Sequence, residues 1–254
     1  MRLALTRDVS SAFAACELTH LVRQPIDVAR ARVQHEAYER ALADAGCEVQ
    51  RLESAHDMPD AVFIEDVAVV VGEVAVVTRP GAGSRRGEPA AVADALAAFR
   101  TVRRIEAPGT LDGGDVLVTG RRVFVGASQR SNASGIAQLR QILAPFGYVV
   151  VDVPISRCLH LKSAVTALGD ALLLMNQAWA PRDVFEGFDV LDVDPGEPMA
   201  ANALRIRGRV IYPESFPRTR RRIEACGLDV LSVDVSELQK AEGGVTCCSL
   251  LFTA

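Results

Sequence analysis

Apolar runs broken by glycine turns recur along this chain. The first copy is Val67–Val71, Gly72-Glu73 and Val74–Val77. The second joins Val116–Val118 to Val123–Val125 through Thr119-Gly120-Arg121-Arg122. The third runs Ala164–Leu168, Gly169-Asp170, Ala171–Met175, and the fourth Ala203–Ile206, Arg207-Gly208, Arg209–Tyr212. Two short aliphatic runs around such a turn predict a β-hairpin, because glycine supplies the positive φ that tight turns require. Helical spacing follows, with Val92, Leu96 and Phe99 in Glu88–Phe99 and Ile136, Leu139 and Leu143 in Ser131–Leu143. Pro217–Cys226 gives a short basic-faced helix, and Arg182–Phe185 a weaker helical turn. Strands Val102–Ile105, Val149–Val153, Val190–Val193 and Val230–Val233 come next, while helix Val28–Ala45 and strand Glu48–Leu52 supply the same half-unit near the N-terminus.

Hairpin–helix–strand units thus recur four times, their turn glycines 48, 49 and 39 residues apart. A fifth hairpin is expected to pair Leu3–Leu5 with Cys248–Phe252, stitching the termini together. No such unit buries its apolar face alone, so stacking into a closed ring is the economical solution. The expected fold is α/β, a closed ring of about five such units forming one domain over residues 1–254. An ordinary α+β sandwich is the competing fold. Val9–Pro25 has no clean periodicity and reads as a mobile loop.

Composition narrows the function. The 254 residues are 49% hydrophobic, enough for a large core, and only 5% aromatic, so aliphatic side chains must build it. A net charge of −4 lacks the basic footprint of a nucleic-acid binder. No apolar run approaches the roughly 20 residues of a membrane span, and Arg2, Arg7 and Asp8 interrupt any signal-peptide core. A cytoplasmic protein without membrane partners is expected. The six cysteines form no C-x-x-C, and no H-E-x-x-H occurs, so a zinc site has little support. Cys16, Cys47, Cys158 and Cys226 read as structural or incidental, and His20, His35 and His56 as surface residues.

The chemistry gathers just before the hairpins. There stand Asp60 and Glu65-Asp66, then Asp112-Gly113-Gly114-Asp115, then His160, then Thr246-Cys247-Cys248-Ser249. Converging acids suit a cationic ligand, and a thiol with an imidazole and a carboxylate suits covalent catalysis. Each element also has a plainer reading. Glu65-Asp66 can be a solvated strand entry, D-G-G a turn, His160 a core histidine, and Cys247 a small buried apolar residue. Their matched placement before successive hairpins favours the joint reading.

These motifs carry a resemblance over nearly the whole chain. Pro59–Val70, Thr78–Arg86, Leu111–Leu117, Leu159–Ser163 and Thr246–Ser249, in that order, resemble the dimethylarginine dimethylaminohydrolase family of the guanidino-group-modifying (pentein) superfamily. The resemblance implies a five-bladed α/β-propeller with pseudo-fivefold symmetry, and hydrolysis of Nω-methylated arginine to citrulline and an amine through a covalent thiouronium. It implies Cys247 as nucleophile, His160 as general acid and base, and Asp112 as the histidine's partner, where relatives often carry the longer Glu. Asp66 would grip the guanidinium with Glu65 beside it, and Asp60 and the Leu18 backbone would hold the amino end. Arg85 and Arg130 would clamp the α-carboxylate with planar guanidinium forks. Val9–Pro25 would be the lid. No cofactor is implied, zinc entering only as an inhibitor caught by Cys247 and His160. The partners implied are a small-molecule substrate and at most a second copy, as monomer or homodimer. Arginine deiminase chemistry and a non-catalytic propeller binding protein are the alternatives.

Overall fold

The computed structural model describes residues 1–53 and 55–254. Its strands form five three-stranded sheets built on one plan. An inner strand pairs antiparallel with a middle strand, and the middle strand pairs parallel with an outer one. Ala68–Val70, Val74–Val77 and Thr101–Arg104 make one blade, and Val116–Thr119, Arg122–Ala127 and Val149–Pro154 the next. Val165–Ala167, Leu172–Met175 and Asp189–Asp192 follow, then Leu204–Ile206, Arg209–Pro213 and Asp229–Val233. The last blade joins the chain ends: Arg2–Arg7 pairs with Leu250–Thr253 in the register Leu3↔Phe252, and with Glu48–Leu52 on its other side.

A parallel partner cannot be reached by a tight turn, so each middle strand must leave its sheet and return by a crossover. The amphipathic stretches supply those crossovers as helices Val28–Asp44, Pro89–Ala97, Ala133–Leu143 and Pro217–Ala225, and as one 3-10 turn at Arg182–Phe185. Proline opens the second and fourth of these helices, where its missing N–H costs nothing. Asp27 and Asn132 cap the first and third by accepting from the Arg30 and Gly135 N–H.

The apolar cores lie between blades. One joins Val74 and Val76 of one blade to Val116 and Val123 of the next, with Ile136 and Leu139 from the helix above. Another joins Leu3, Leu5 and Phe252 to Ala75 and Leu96. Each blade thus completes its neighbour, which is why the ring closes. The inner strands of all five sheets surround a cavity of about 870 Å³.

Two expectations are corrected. The first half of the expected 9–25 loop is packed down: Val9, Phe13 and Cys16 are fully buried, with Phe13 edge-on to Phe63 at 5.9 Å, while residues 17–25 lie at the surface. Apolar anchors at irregular spacing leave no periodic signature. His35 is fully buried on helix Val28–Asp44, its Nδ1 3.7 Å from Glu39 Oε1, and burial lowers its pKa.

Candidate active site

The segments entering the inner strands tighten into short turns at Ile64–Val67, Gly113–Asp115 and Leu161–Ala164, and the ring brings them together. Asp66, Arg85, Arg130, His160 and Cys247 line a small cavity of about 20 Å³. His160 is pinned between two carboxylates. Its Nε2 lies 3.1 Å from Asp112 Oδ2 and its Nδ1 3.7 Å from Asp66 Oδ1. Burial alone would lower the imidazole pKa, but Asp66, Asp112 and Asp115 outweigh it and push the pKa up to about 9. At neutral pH His160 is therefore an imidazolium. The shorter Asp112 makes the reach to the histidine, and its other oxygen accepts from the Gly81 N–H at 2.8 Å.

Asp66 shows the opposite balance. Burial alone would raise its pKa, yet His160, Arg85 and the Gly114 N–H hold it down at about 2. The Cys247 thiol is pushed up to about 12 by burial and by the charges of Glu65 and Asp66. Its Sγ accepts from the Gly244 N–H at 3.3 Å, too weak a counterweight. The thiol is therefore protonated unless a further cation enters the cavity.

The glycines between Asp112 and Asp115 make this approach possible. A Cβ on Gly114 would sit 2.5 Å from His160 Nδ1 and 2.7 Å from Asp66 Oδ1, and one on Gly113 would collide with the Glu65 carbonyl. Asp115 completes the frame. It accepts from Ser131 Oγ at 2.7 Å and from the Leu161 N–H at 2.9 Å, fixing the residue after the histidine. Sequence reasoning left Asp115 without a role, although it stands in the quoted motif. Burial raises its pKa to about 6.

Two expected contacts come out differently. Glu65 turns away from the cavity that holds Asp66, because successive residues of a 3-10 turn face different directions. It accepts from Lys162 Nζ at 2.5 Å and Thr246 Oγ1 at 2.7 Å, and lines the large central cavity instead. Asn202 closes that network, donating to Thr246 Oγ1 and accepting from the Thr246 N–H, both at 3.0 Å. Arg85 is buried and committed, donating to Asp66 Oδ2 at 2.6 Å, to Glu88, and to the Asp60 and Phe63 carbonyls. Here it locks the Asp66 carboxylate rather than presenting a free fork. Leu18 packs its side chain on the core, between Glu17 and Thr19, which carry the local hydrogen bonds. Asp60 accepts from the Glu17 N–H at 3.1 Å, and Arg130 donates to Thr19 Oγ1 at 2.9 Å with its other nitrogen 4.0 Å from Asp112.

Asp66, Asp112 and His160 also offer ligand atoms within 4.8 Å of one another. The guanidinium of Arg85 is already on Asp66 and that of Arg130 beside Asp112. A metal cation fits poorly where two fixed cations already neutralise the carboxylates. The trio also pairs His160 with acids rather than with Cys247, the expected zinc partner.

The family model for N,N dimethylarginine dimethylhydrolase, eukaryotic, matches residues 19–181. The N(G),N(G)-dimethylarginine dimethylaminohydrolase of Streptomyces coelicolor is 42% identical over 248 residues, covering 97% of this chain and 95% of that protein. Its Pseudomonas aeruginosa counterpart is 38% identical over 228 residues, 89% of this chain and 90% of the other. The chain belongs to the dimethylarginine dimethylaminohydrolase family. It is a hydrolase with the family's fold: a cysteine-to-serine variant of the Pseudomonas aeruginosa enzyme, complexed with citrulline, superposes with a TM-score of 0.94 at 35% identity and 98% coverage of both chains. The N-terminal domain of a cyanobacterial arginine dihydrolase shares the fold alone, at 20% identity, TM-score 0.88, and 99% and 97% coverage. Among the described residues no helix is long and apolar enough to cross a membrane.

Proposed function

We propose that this protein hydrolyses Nω-methylated arginine, asymmetric dimethylarginine or the monomethyl form, to citrulline and dimethylamine or methylamine. One observation carries the reading: His160, held between Asp66 and Asp112, lines the same small cavity as Cys247. Asp66, ionised at neutral pH, receives the substrate guanidinium. That cation beside the thiol favours its ionisation, the thiol proton leaves to solvent, and the Cys247 thiolate adds to the guanidinium carbon. The His160 imidazolium gives its proton to the departing amine, the C–N bond breaks, and a Cys247 thiouronium remains. Neutral His160 then takes a proton from water as the water adds to the same carbon. The C–S bond breaks, the adduct's hydroxyl proton passes to the departing sulfur, citrulline leaves and the Cys247 thiol is restored. Asp112 orients the ring through both steps.

The citrulline bound to the Pseudomonas aeruginosa relative supports the product assignment. In this reading Arg130 and Asp60 hold the α-carboxylate and α-amino ends, the Leu18 backbone contributes to the latter, and neither metal nor organic cofactor takes part. The enzyme works in the cytoplasm as a monomer or homodimer. Citrulline formation from asymmetric dimethylarginine, with monomethylarginine and arginine in parallel, tests it. Turnover of the methylated substrates, abolished in Cys247→Ser and retained in Cys248→Ser, is the expected outcome. Turnover of arginine alone, or of none of the three, overturns it.

A further inference from the structure

The helix Ser236–Gln239 ends in an unusual way just before the nucleophile. The Gly243 N–H donates to the Leu238 carbonyl at 3.0 Å and the Glu242 N–H to the Gln239 carbonyl at 3.1 Å. This is the Schellman pattern, which requires the left-handed backbone at its penultimate position and nearly always uses glycine there. Here that position is Glu242, with φ of 60°, although two glycines follow at once. A non-glycine residue is strained in this conformation, and such strain persists where a side chain is needed.

The Glu242 carboxylate accounts for the need. Its Oε2 accepts from the Thr19 N–H at 2.9 Å, and its Oε1 from the His20 and Leu21 N–H at 2.5 and 2.6 Å. Three successive amides of an irregular segment thus converge on one side chain that also lines the Cys247 cavity. Hydrogen bonds to a charged acceptor are the stronger kind. The anchored residues include Thr19, the partner of Arg130, and adjoin Leu18 and Glu17, the latter bonded to Asp60.

We infer that Glu242 is a positioning residue for the reaction. It holds the 17–21 segment over the site, and through it sets the Leu18 backbone and Arg130 that receive the amino-acid end of the substrate. This rests on the function proposed above. Glu242 touches no reacting atom, so its effect falls on recognition of the substrate's far end and not on the guanidinium chemistry.

Glu242→Gly is the informative variant, because glycine suits the left-handed backbone and the helix end keeps its hydrogen bonds. With asymmetric dimethylarginine, KM is expected to rise at least about tenfold while kcat changes less than about threefold. With N-methyl-N′-propylguanidinium, which lacks the amino-acid end, kcat/KM stays unchanged. Glu242→Gln, which keeps an acceptor oxygen, recovers part of the KM. Hydrogen exchange of the Thr19, His20 and Leu21 amides accelerates in Glu242→Gly, and its Tm does not fall. Equal losses for both guanidines, or unchanged exchange at residues 19–21, overturn the inference. If the unaltered protein turns over no methylated arginine, the proposed function fails, and the exchange measurement still decides whether Glu242 anchors the segment.

Discussion

His160→Gln should remove a pH-dependent part of the protein's stability. Burial alone would lower the imidazole pKa, but the surrounding carboxylates Asp66, Asp112 and Asp115 raise it from the ordinary 6.5 to about 9. The folded state therefore holds this proton more tightly than the unfolded chain does. The resulting stabilisation is fully present below pH 6.5 and is lost as pH rises toward 9. Between pH 6.5 and 8.5 the unfolding free energy should fall by about 2 kcal/mol, from roughly 1.4 kcal/mol per pH unit of separation. That is a large fraction of the roughly 5–15 kcal/mol total of a typical domain. Of the other displaced groups, His35, its pKa lowered by burial, acts in the opposite sense at the low edge of this window and cancels from the comparison because both proteins carry it. In the folded protein Asp115, at about 6, titrates below the window, and Cys158 and Cys247, at about 12, titrate above it. Urea unfolding at pH 6.5, 7.5 and 8.5 measures the slope. The Gln variant starts from a lower stability, because Asp66 and Asp112 lose a cationic partner, so the slope rather than the level is the readout. A fall of the same size in both proteins would refute the assignment of the proton to His160.

Gly114→Ala forces a methyl group to within 2.5 Å of His160 Nδ1; citrulline formation should fall at least about 100-fold, the usual weight of a displaced acid–base group, in a steady-state assay. Arg85→Met strands the buried carboxylates of Asp66 and Glu88 and should cost about 3–5 kcal/mol in urea unfolding, as breaking a buried ion pair does. Cys248, buried with only a long 3.8 Å contact from its Sγ to the Gly244 carbonyl, lies outside the reaction, and Cys248→Ala should retain citrulline formation to within about twofold while lowering stability by about 1 kcal/mol. Prolonged EDTA dialysis should leave turnover unchanged, because the Asp66–Asp112–His160 cluster is neutralised by Arg85 and Arg130.

The reaction centre is assembled from parts of the chain that are far apart and individually unremarkable. Asp66, Asp112 and His160 stand 46 to 48 residues from one another in order, the period of the blades. Each stands just before the inner strand of its own unit, Asp66 inside the entry turn and Asp112 and His160 at the start of theirs. The repeat that closes the ring also converges the side chains. A mutation that disturbs one blade's entry turn therefore acts on the pKa values of residues contributed by its neighbours.

The hydropathy pattern by itself determined the repeating architecture. Hairpins around Gly72, Gly120, Gly169 and Gly208, the crossover stretches and the closure of Leu3–Leu5 on the C-terminus all follow from local alternation and turn chemistry, which act within a few residues. The motifs likewise marked Cys247, His160, Asp112 and Asp66, since such residue types before equivalent strands have few plain uses in combination. Only the tertiary structure decided where neighbouring side chains point. Glu65 and Asp66 are adjacent in sequence yet face different cavities, and nothing in their spacing shows it. Arg85 became an internal partner of Asp66 because the carboxylates around it come from segments folded over it. The packed 9–16 segment, the buried His35 and the anchoring by Glu242 depend on contacts spanning up to 223 residues. Periodicity reports what one element does to its own next turn; it carries no record of a partner that arrives from the far end of the chain.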